Sequence, residues 1–197
     1  MLNKHLDKVF ELYKENYEKI FDVFYPAKNS TGFTEHNLSV NFCKAYETVF
    51  PESISWFEYQ FGEKNNKHFD AIVVNVQKKE LLIIESKRFS KPAKKICEIK
   101  KDIIRIKDTV VAHKEEFSRI PDFEKYTVWG VILADVWVES KGKQEIYNSF
   151  CSKTFIKQYA MPISEEVQYY ISDFSDLGKY ENCLDNYHLL SLVWKVK

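Results

Sequence analysis

The sequence predicts an α/β domain with a mixed central sheet, in which the core elements follow the order helix, three strands, helix, strand. An apolar stripe at helical spacing predicts the first of these helices over about 35–50. Alternating and β-branched runs at 53–61, 71–76 and 81–84 predict the three strands. A nearly continuous apolar run over 126–138 is typical of a buried strand that lies parallel to its neighbour and is joined to it by a helix.

The length and composition are those of one globular domain. The chain has 197 residues, of which 45% are apolar and 29% are charged, and this is enough to bury a core of its own. We find no linker, and we divide the domain into an N-terminal helical extension at 1–34, a core at 35–138 and a C-terminal elaboration at 139–197. That elaboration is predicted to contain a further helix over 143–160 and a final strand over 187–196.

Charge and cysteine usage exclude several classes of protein. The 29 basic and 29 acidic residues cancel, which argues against a protein that coats nucleic acid with its whole surface but allows a local basic groove. The four cysteines are widely separated and form no CxxC. Neither a zinc site nor a disulfide framework is indicated, so a reducing, cytoplasmic location is expected. No signal peptide and no apolar run of about 20 residues is found, so no membrane association is expected.

Two helices are predicted before the sheet. Apolar residues at helical spacing predict an amphipathic helix over 3–24, which either packs on the domain or forms a dimer contact. The loop that follows ends at Thr34, a residue type that suits the N-cap of the second helix. Extending the core stripe of that second helix one turn towards its start leads to Glu35, whereas Glu47 projects more to the side.

The first predicted strand, 53–61, is half exposed. Alternation places Trp56, Glu58 and Gln60 on one face of this strand, and Glu58 is expected to face solvent. A polar turn over 62–67 follows and leads into the second strand.

The second and third strands are predicted to form an antiparallel hairpin around the turn 77–80, and this hairpin carries polar residues in unusual places. Glu85 and Lys87 continue an apolar, inward-facing row, and pairing about the turn brings Asp70 beside them. An ionised carboxylate is costly to bury unless it is paired or binds a cation. The two carboxylates therefore predict a divalent cation, which takes oxygen ligands. His68 lies two residues before Asp70 and is expected to be incidental.

The spacing of Asp70, fourteen further residues and then Glu85-Ser86-Lys87 resembles the motif of the PD-(D/E)xK nuclease superfamily, whose fold is restriction-endonuclease-like. The predicted element order over 35–138 is similar to the αβββαβ core of that fold. Two other Glu-x-Lys triplets lie in a helical stretch and in a turn without a partner hairpin, at 98–100 and 139–141.

The resemblance implies a metal-dependent deoxyribonuclease that hydrolyses phosphodiester bonds of DNA. Asp70 and Glu85 would bind Mg²⁺, or Mn²⁺ in its place, together with the main-chain carbonyl of Ser86. Lys87 would orient or activate the attacking water and offset negative charge at the phosphate.

A first-helix acid that helps to hold the metal or its water recurs in the Holliday-junction resolvase branch, and Glu35 would fill that role, with Glu47 as the alternative. Relatives act in restriction, repair, junction resolution and mobile-element defence, many of them as homodimers or in larger nuclease complexes. DNA is therefore the expected partner. The alternatives are a catalytically silent module of the same fold that binds nucleic acid or a protein, and an unrelated α/β interaction protein in which these residues are structural ion pairs.

The segment 87–107 is strongly basic, with nine Lys or Arg against Glu98 and Asp102. A 3,4-spaced apolar stripe in the same stretch predicts a helix. Its polar face is either solvated, with pairs such as Glu98–Lys101 and Asp102–Arg105, or binds phosphates. We favour phosphate binding because two acids cannot pair nine bases. The expected nucleic-acid-binding residues are Arg88, Lys91, Lys94, Lys95, Lys101 and Arg105.

The stretch 163–187 has the opposite character, with six acids and one lysine. An acidic surface repels DNA, so this stretch is expected to face away from DNA or towards a protein partner.

Overall fold

The computed structural model describes residues 4–23, 34–61, 67–112, 114–163, 166–174 and 186–197. The helices are α1 (Lys4–Val23), α2 (Glu35–Val49), α3 (Pro92–Ala112), α4 (Lys141–Cys151) and α5 (Phe155–Gln158), and two short 3-10 helices cover Lys114–Phe117 and Phe123–Lys125. The strands are β1 (Ser53–Phe61), β2 (Lys67–Asn75), β3 (Glu80–Arg88), β4 (Thr127–Trp137), β5 (Val167–Asp173) and β6 (Tyr187–Lys195).

The six strands form one mixed sheet in the order β1-β2-β3-β4-β6-β5. All neighbours are antiparallel except β3 and β4, which run parallel from Glu80↔Thr127 to Arg88↔Asp135. Their parallel pairing requires a long connection, which α3 provides, and helices on both faces bury both strands. The predicted parallel arrangement of the 126–138 run is confirmed.

Helices cover both faces of the sheet, and successive residues of β3 alternate between the two. Leu82 and Ile84 belong to a first core with α1 and α2, whereas Leu81 and Ile83 belong to a second core with α3, α4 and α5. The predicted α/β class, with a mixed sheet flanked by helices, is confirmed. Within the part of the chain that the structure describes, no helix combines the length and apolarity needed to cross a membrane.

Helix α1 packs on the domain. Tyr13, Tyr17 and Phe21 are fully buried, and their rings contact Phe42 of α2 and Tyr187 of β6. The segment assigned to an N-terminal extension therefore contributes to the first core of the domain.

The observed bounds of α2 and β1 agree closely with those predicted from the sequence. Thr34 is the N-cap of α2, although its side chain makes no capping hydrogen bond, and β1 has the predicted bounds, with Trp56, Glu58 and Gln60 exposed. The predicted turn over 62–67 lies outside the described residues except for its last position.

The C-terminal part differs from the prediction in two places. The helix predicted over 143–160 is interrupted after Cys151, because Lys153 adopts a left-handed φ of 56° that a helix cannot continue. Strand β5 is not predicted, since it is a half-exposed edge strand with no fully buried residue. It pairs with β6, which lies between β4 and β5, so the C-terminal elaboration completes the sheet. Positions 164, 165 and 175–185 of the acidic stretch lie outside the described residues.

Gly130 of β4 is required by its cross-strand neighbour. It faces Trp194 of β6 in the antiparallel register, and a Cβ at this position would overlap the Trp194 indole. We expect Gly130→Ala to destabilise the domain by about 1–3 kcal/mol or more, because the packed ring has to move. Gly142→Ala in α4 is the matched control, since its nearest neighbour is Pro92 Cγ at 3.8 Å. Urea unfolding measures both, and equal midpoints for Gly130→Ala and the wild type would contradict this account.

Candidate functional site

Strands β2 and β3 separate at the residues that the sequence singles out. Their ladder runs from Asn75↔Glu80 to Ala71↔Ile84 and stops there, while β2 continues beside β1 and β3 continues beside β4. The Asp70 carboxylate replaces the missing ladder bond, because its Oδ2 accepts the backbone N–H of Ser86 at 2.6 Å. The N–H and C=O of one strand residue point to the same edge, so the Ser86 carbonyl also projects into this opening.

The β1–β2 pair changes the faces of its side chains beside this opening. Ala71 packs in the first core and Phe69 in the second, although residues two apart in a regular strand share a face. Phe57 and Tyr59 change sides in the same way on β1. Between them lies Glu58, with a positive φ of 51° that is unusual for a non-glycine residue. The end of the hairpin therefore turns towards the α3 side of the sheet.

Four charged side chains form a buried network on that side. Lys87 Nζ lies 2.9 Å from Asp102 Oδ2 and 3.6 Å from Glu85 Oε2. The Arg105 guanidinium contacts Glu85 and lies 2.8 Å from Asp102 Oδ1. Glu85 is only 2% exposed. With Asp70 included, three carboxylates face two cationic side chains.

Burial raises the pKa of Glu85 to about 8. The carboxylates of Asp102 and Asp70 contribute to this increase, whereas Arg105 and Lys87 oppose it. Burial likewise raises the pKa of Asp70 above its ordinary value, against the Ser86 N–H and Lys87. Burial and the neighbouring carboxylates therefore favour the protonated form of Glu85, and the two cations only partly offset them.

Asp102 also belongs to this network, although the sequence placed it on a polar helix face, where a solvated pair with Arg105 was the alternative to phosphate binding. The predicted Asp102–Arg105 pair exists, but it faces inwards to Glu85 and Lys87, because Asp102 lies on the buried stripe of α3 between Ile99 and Ile106. A polar residue on an apolar helical stripe was the signal for this role.

Glu35 lies at the start of α2 and contacts the end of β3. Its Oε1 accepts the backbone N–H of Arg88 at 2.9 Å and the Lys95 ammonium at 2.6 Å. Glu47 instead accepts the backbone N–H of Ser55 at 2.9 Å. Of the two candidate first-helix acids, Glu35 is thus the one that the structure places at the end of β3, where it fixes the main chain just after Lys87.

Most of the predicted nucleic-acid-binding residues are already ion-paired. Arg88 Nε lies 3.6 Å from Asp135, whose pKa burial raises to about 7 although Arg88 lowers it. Lys94 and Lys95 both pair with Glu98, which corrects the expected Glu98–Lys101 pair.

Acids from neighbouring elements account for this pairing. The basic segment itself contains two acids for its nine bases. Three further acidic partners, Glu35, Glu85 and Asp135, come from α2, β3 and β4. Lys91 and Lys101 are exposed and form no ion pair with another residue that the structure describes. They remain the best-placed lysines of the set for phosphates.

A second group includes Glu58, which was expected to face solvent, and His68, which was expected to be incidental. Glu58, His68 and Asp70 bring ligand atoms within 4.8 Å of one another, and they are the one such group of three His or acidic residues in the described part of the chain. His68 Nε2 lies 3.1 Å from Glu58 Oε2. Both side chains are exposed, and the register of the β1–β2 pair together with the left-handed backbone at Glu58 brings them together.

The end of β3 thus presents carboxylate oxygens, a main-chain carbonyl and an ammonium group around one opening. This combination suits a hard divalent cation and an anionic substrate. Comparison with protein-family models, with curated proteins and with solved structures finds no match to this chain.

Proposed function

We propose that this chain is a metal-dependent nuclease of the PD-(D/E)xK type that hydrolyses phosphodiester bonds of DNA. The observation that carries the proposal is the opening between β2 and β3. Asp70 lies on one side of it, and Glu85 and Lys87 project from the other strand towards α3. A nuclease of this type needs two acids and a lysine in this relation.

The surrounding fold supports the proposal. The chain order α2, β1, β2, β3, α3, β4, with β3 and β4 parallel, is the order expected for a restriction-endonuclease-like core. This core places α2 on one side of the β3 end and α3 on the other, and each helix contributes a charged residue there, Glu35 and Asp102.

The residues of the opening fit a divalent cation. Asp70, Glu85 and the Ser86 carbonyl supply oxygen atoms, the ligands that Mg²⁺ and Mn²⁺ prefer. The excess of acidic over basic side chains, together with the raised pKa of Glu85, supports the binding of a cation at this position. The guanidinium of Arg105 pairs with Glu85 and would compete with a divalent cation for that carboxylate.

Each side chain then has a definable role. A bound divalent cation would supply Lewis-acid activation of the phosphodiester and of the attacking water. Asp102 holds the Lys87 ammonium in place at 2.9 Å. Burial alone would lower the pKa of Lys87, but Asp102 and Glu85 raise it above its ordinary value. Lys87 therefore stays charged at neutral pH and acts as a hydrogen-bond donor to water or phosphate rather than as a general base.

Cleavage assays on supercoiled, single-stranded and branched DNA test the proposal, each with Mg²⁺, Mn²⁺ or EDTA. We expect cutting that requires the metal and is lost in Asp70→Asn, which keeps an oxygen to accept the Ser86 N–H but removes the charge. Asp108→Asn changes an exposed acid of α3 in the same way and should cut normally. Intact DNA in every condition, with well-folded protein, would refute the proposal.

A catalytically silent module of the same fold is the second candidate. The observation in its favour is that Lys87 and Arg105 already pair with Asp102 and Glu85, so the network is nearly self-contained. This candidate predicts binding of labelled DNA or of a protein partner without cleavage in any metal, and binding that is insensitive to Asp70→Asn.

A further inference from the structure

We propose that Glu58, His68 and Asp70 form a second cation site, selective for divalent ions that accept nitrogen ligands, such as Mn²⁺ or Zn²⁺. The site shares Asp70 with the opening between β2 and β3. It rests on the geometry of these three residues and does not require that the chain cleave DNA.

The spacing of the ligand atoms matches a metal site. All three atoms lie within 4.8 Å of one another, and the His68 Nε2 to Glu58 Oε2 distance is 3.1 Å. Adjacent ligands on an octahedral ion with bonds of about 2.1 Å lie about 3 Å apart. A cation can therefore be held with little movement of His68 and Glu58.

The strand register brings these residues together. The flanking pairs Phe57↔Ala71 and Tyr59↔Phe69 place Glu58 directly opposite Asp70. His68 is two residues from Asp70 on the same strand. The left-handed backbone at Glu58 occurs at this point of the pair and also positions the Glu58 carboxylate.

Each ligand has coordination capacity to spare. The Ser86 N–H occupies one lone pair of Asp70 Oδ2, so Oδ1 and the other Oδ2 lone pair can each bind one of the two cations. The side chains of Glu58 and His68 are 56% and 52% exposed, so water can complete the shell.

The ligand chemistry sets the choice of ion. Two carboxylates and one imidazole suit Mn²⁺ and Zn²⁺, whereas Mg²⁺ prefers an all-oxygen shell. The carboxylates of Asp70 and Glu85, by contrast, offer oxygen alone. The two sites should therefore differ in their response to Mg²⁺.

Mn²⁺ binding to metal-stripped protein tests the proposal, with free Mn²⁺ counted by its electron paramagnetic resonance signal. We expect two Mn²⁺ per wild-type chain, one in His68→Gln and one in Glu85→Gln. Excess Mg²⁺ should displace the ion that remains in His68→Gln but leave the ion that remains in Glu85→Gln. His5→Gln, an exposed change in α1, should bind two. Far-UV circular dichroism checks that every variant is folded.

The outcomes separate this proposal from the nuclease proposal. Equal Mn²⁺ binding by His68→Gln and wild type would overturn the second site, as would an ion in Glu85→Gln that Mg²⁺ displaces fully. A His68-dependent ion in a protein that cuts no DNA would support the second site while the nuclease proposal failed.

Discussion

Lys87→Gln is expected to lower the rate of DNA cleavage by about 10²–10⁴-fold and to leave the fold intact. The substitution removes the one ammonium group that lies between Glu85 and Asp102 at the opening of the sheet. Glutamine keeps a polar side chain of similar length but supplies no charge to a developing phosphorane. The loss should appear in the rate at saturating DNA rather than in DNA affinity.

The fold tolerates this change because another cation remains. Removing one partner of a buried ion pair costs about 3–5 kcal/mol when its acid is left alone. Here Arg105 still contacts both Glu85 and Asp102, and Glu85 takes up a proton near neutral pH because its pKa is about 8. We therefore expect Lys87→Gln to lower the free energy of unfolding by less than this amount, and urea unfolding measures the difference.

Lys101→Gln is the matched control for Lys87→Gln. It removes the same charge from an exposed position of α3, so it should weaken DNA binding slightly and leave the maximal rate unchanged. If Lys87→Gln cut at the wild-type rate, Lys87 would have no catalytic role. If it unfolded while Lys101→Gln did not, the network would be structural, as in an unrelated α/β interaction protein.

Local pattern predicted the core elements from α2 to β4 and the meeting of Asp70 with β3. The alternation around the turn fixes which residues of β2 and β3 share a face, and a hairpin register follows from its turn. The observed ladder ends at Ala71↔Ile84, one pair before Asp70 and Glu85. This part of the site could be predicted because all of its determinants lie within one hairpin.

The remaining members of the site depend on contacts between distant segments. Asp102 faces Lys87 because of how α3 packs on β3, and Glu58 reaches His68 through the β1–β2 register and a left-handed backbone. No local pattern encodes a positive φ at a glutamate. The ion pairs of the basic segment 87–107 were not predicted for the same reason, because their acidic partners Glu35, Glu85 and Asp135 lie on other elements.

Glu85→Gln is expected to abolish metal-dependent cleavage and, in EDTA, to remove a pH dependence of stability. The pKa of Glu85 is raised from 4.5 to about 8 in the folded chain, so between these values the folded state holds a proton that the unfolded state has released. The free energy of unfolding of the wild type should therefore fall as pH rises from about 4.5 to 8, by at most about 1.4 kcal/mol per pH unit from this group.

Urea unfolding of both proteins in EDTA between pH 5 and 9 measures this effect. The stability of Glu85→Gln relative to wild type should increase with pH up to about 8 and then level off. Asp135, whose pKa is also raised, is present in both proteins and cancels in the comparison. Parallel curves would show that Glu85 ionises normally in the folded chain.

Added Mg²⁺ should reverse the order of stability of the wild type and Glu85→Gln. A cation that binds the folded state stabilises it, so added Mg²⁺ should raise the unfolding midpoint of the wild type at pH 8 and leave that of Glu85→Gln nearly unchanged. Asp108→Gln controls for the loss of an acid elsewhere on the surface. Glu85 would then destabilise the metal-free fold and stabilise the metal-bound fold. This pattern is expected of a metal ligand and not of a residue kept for packing.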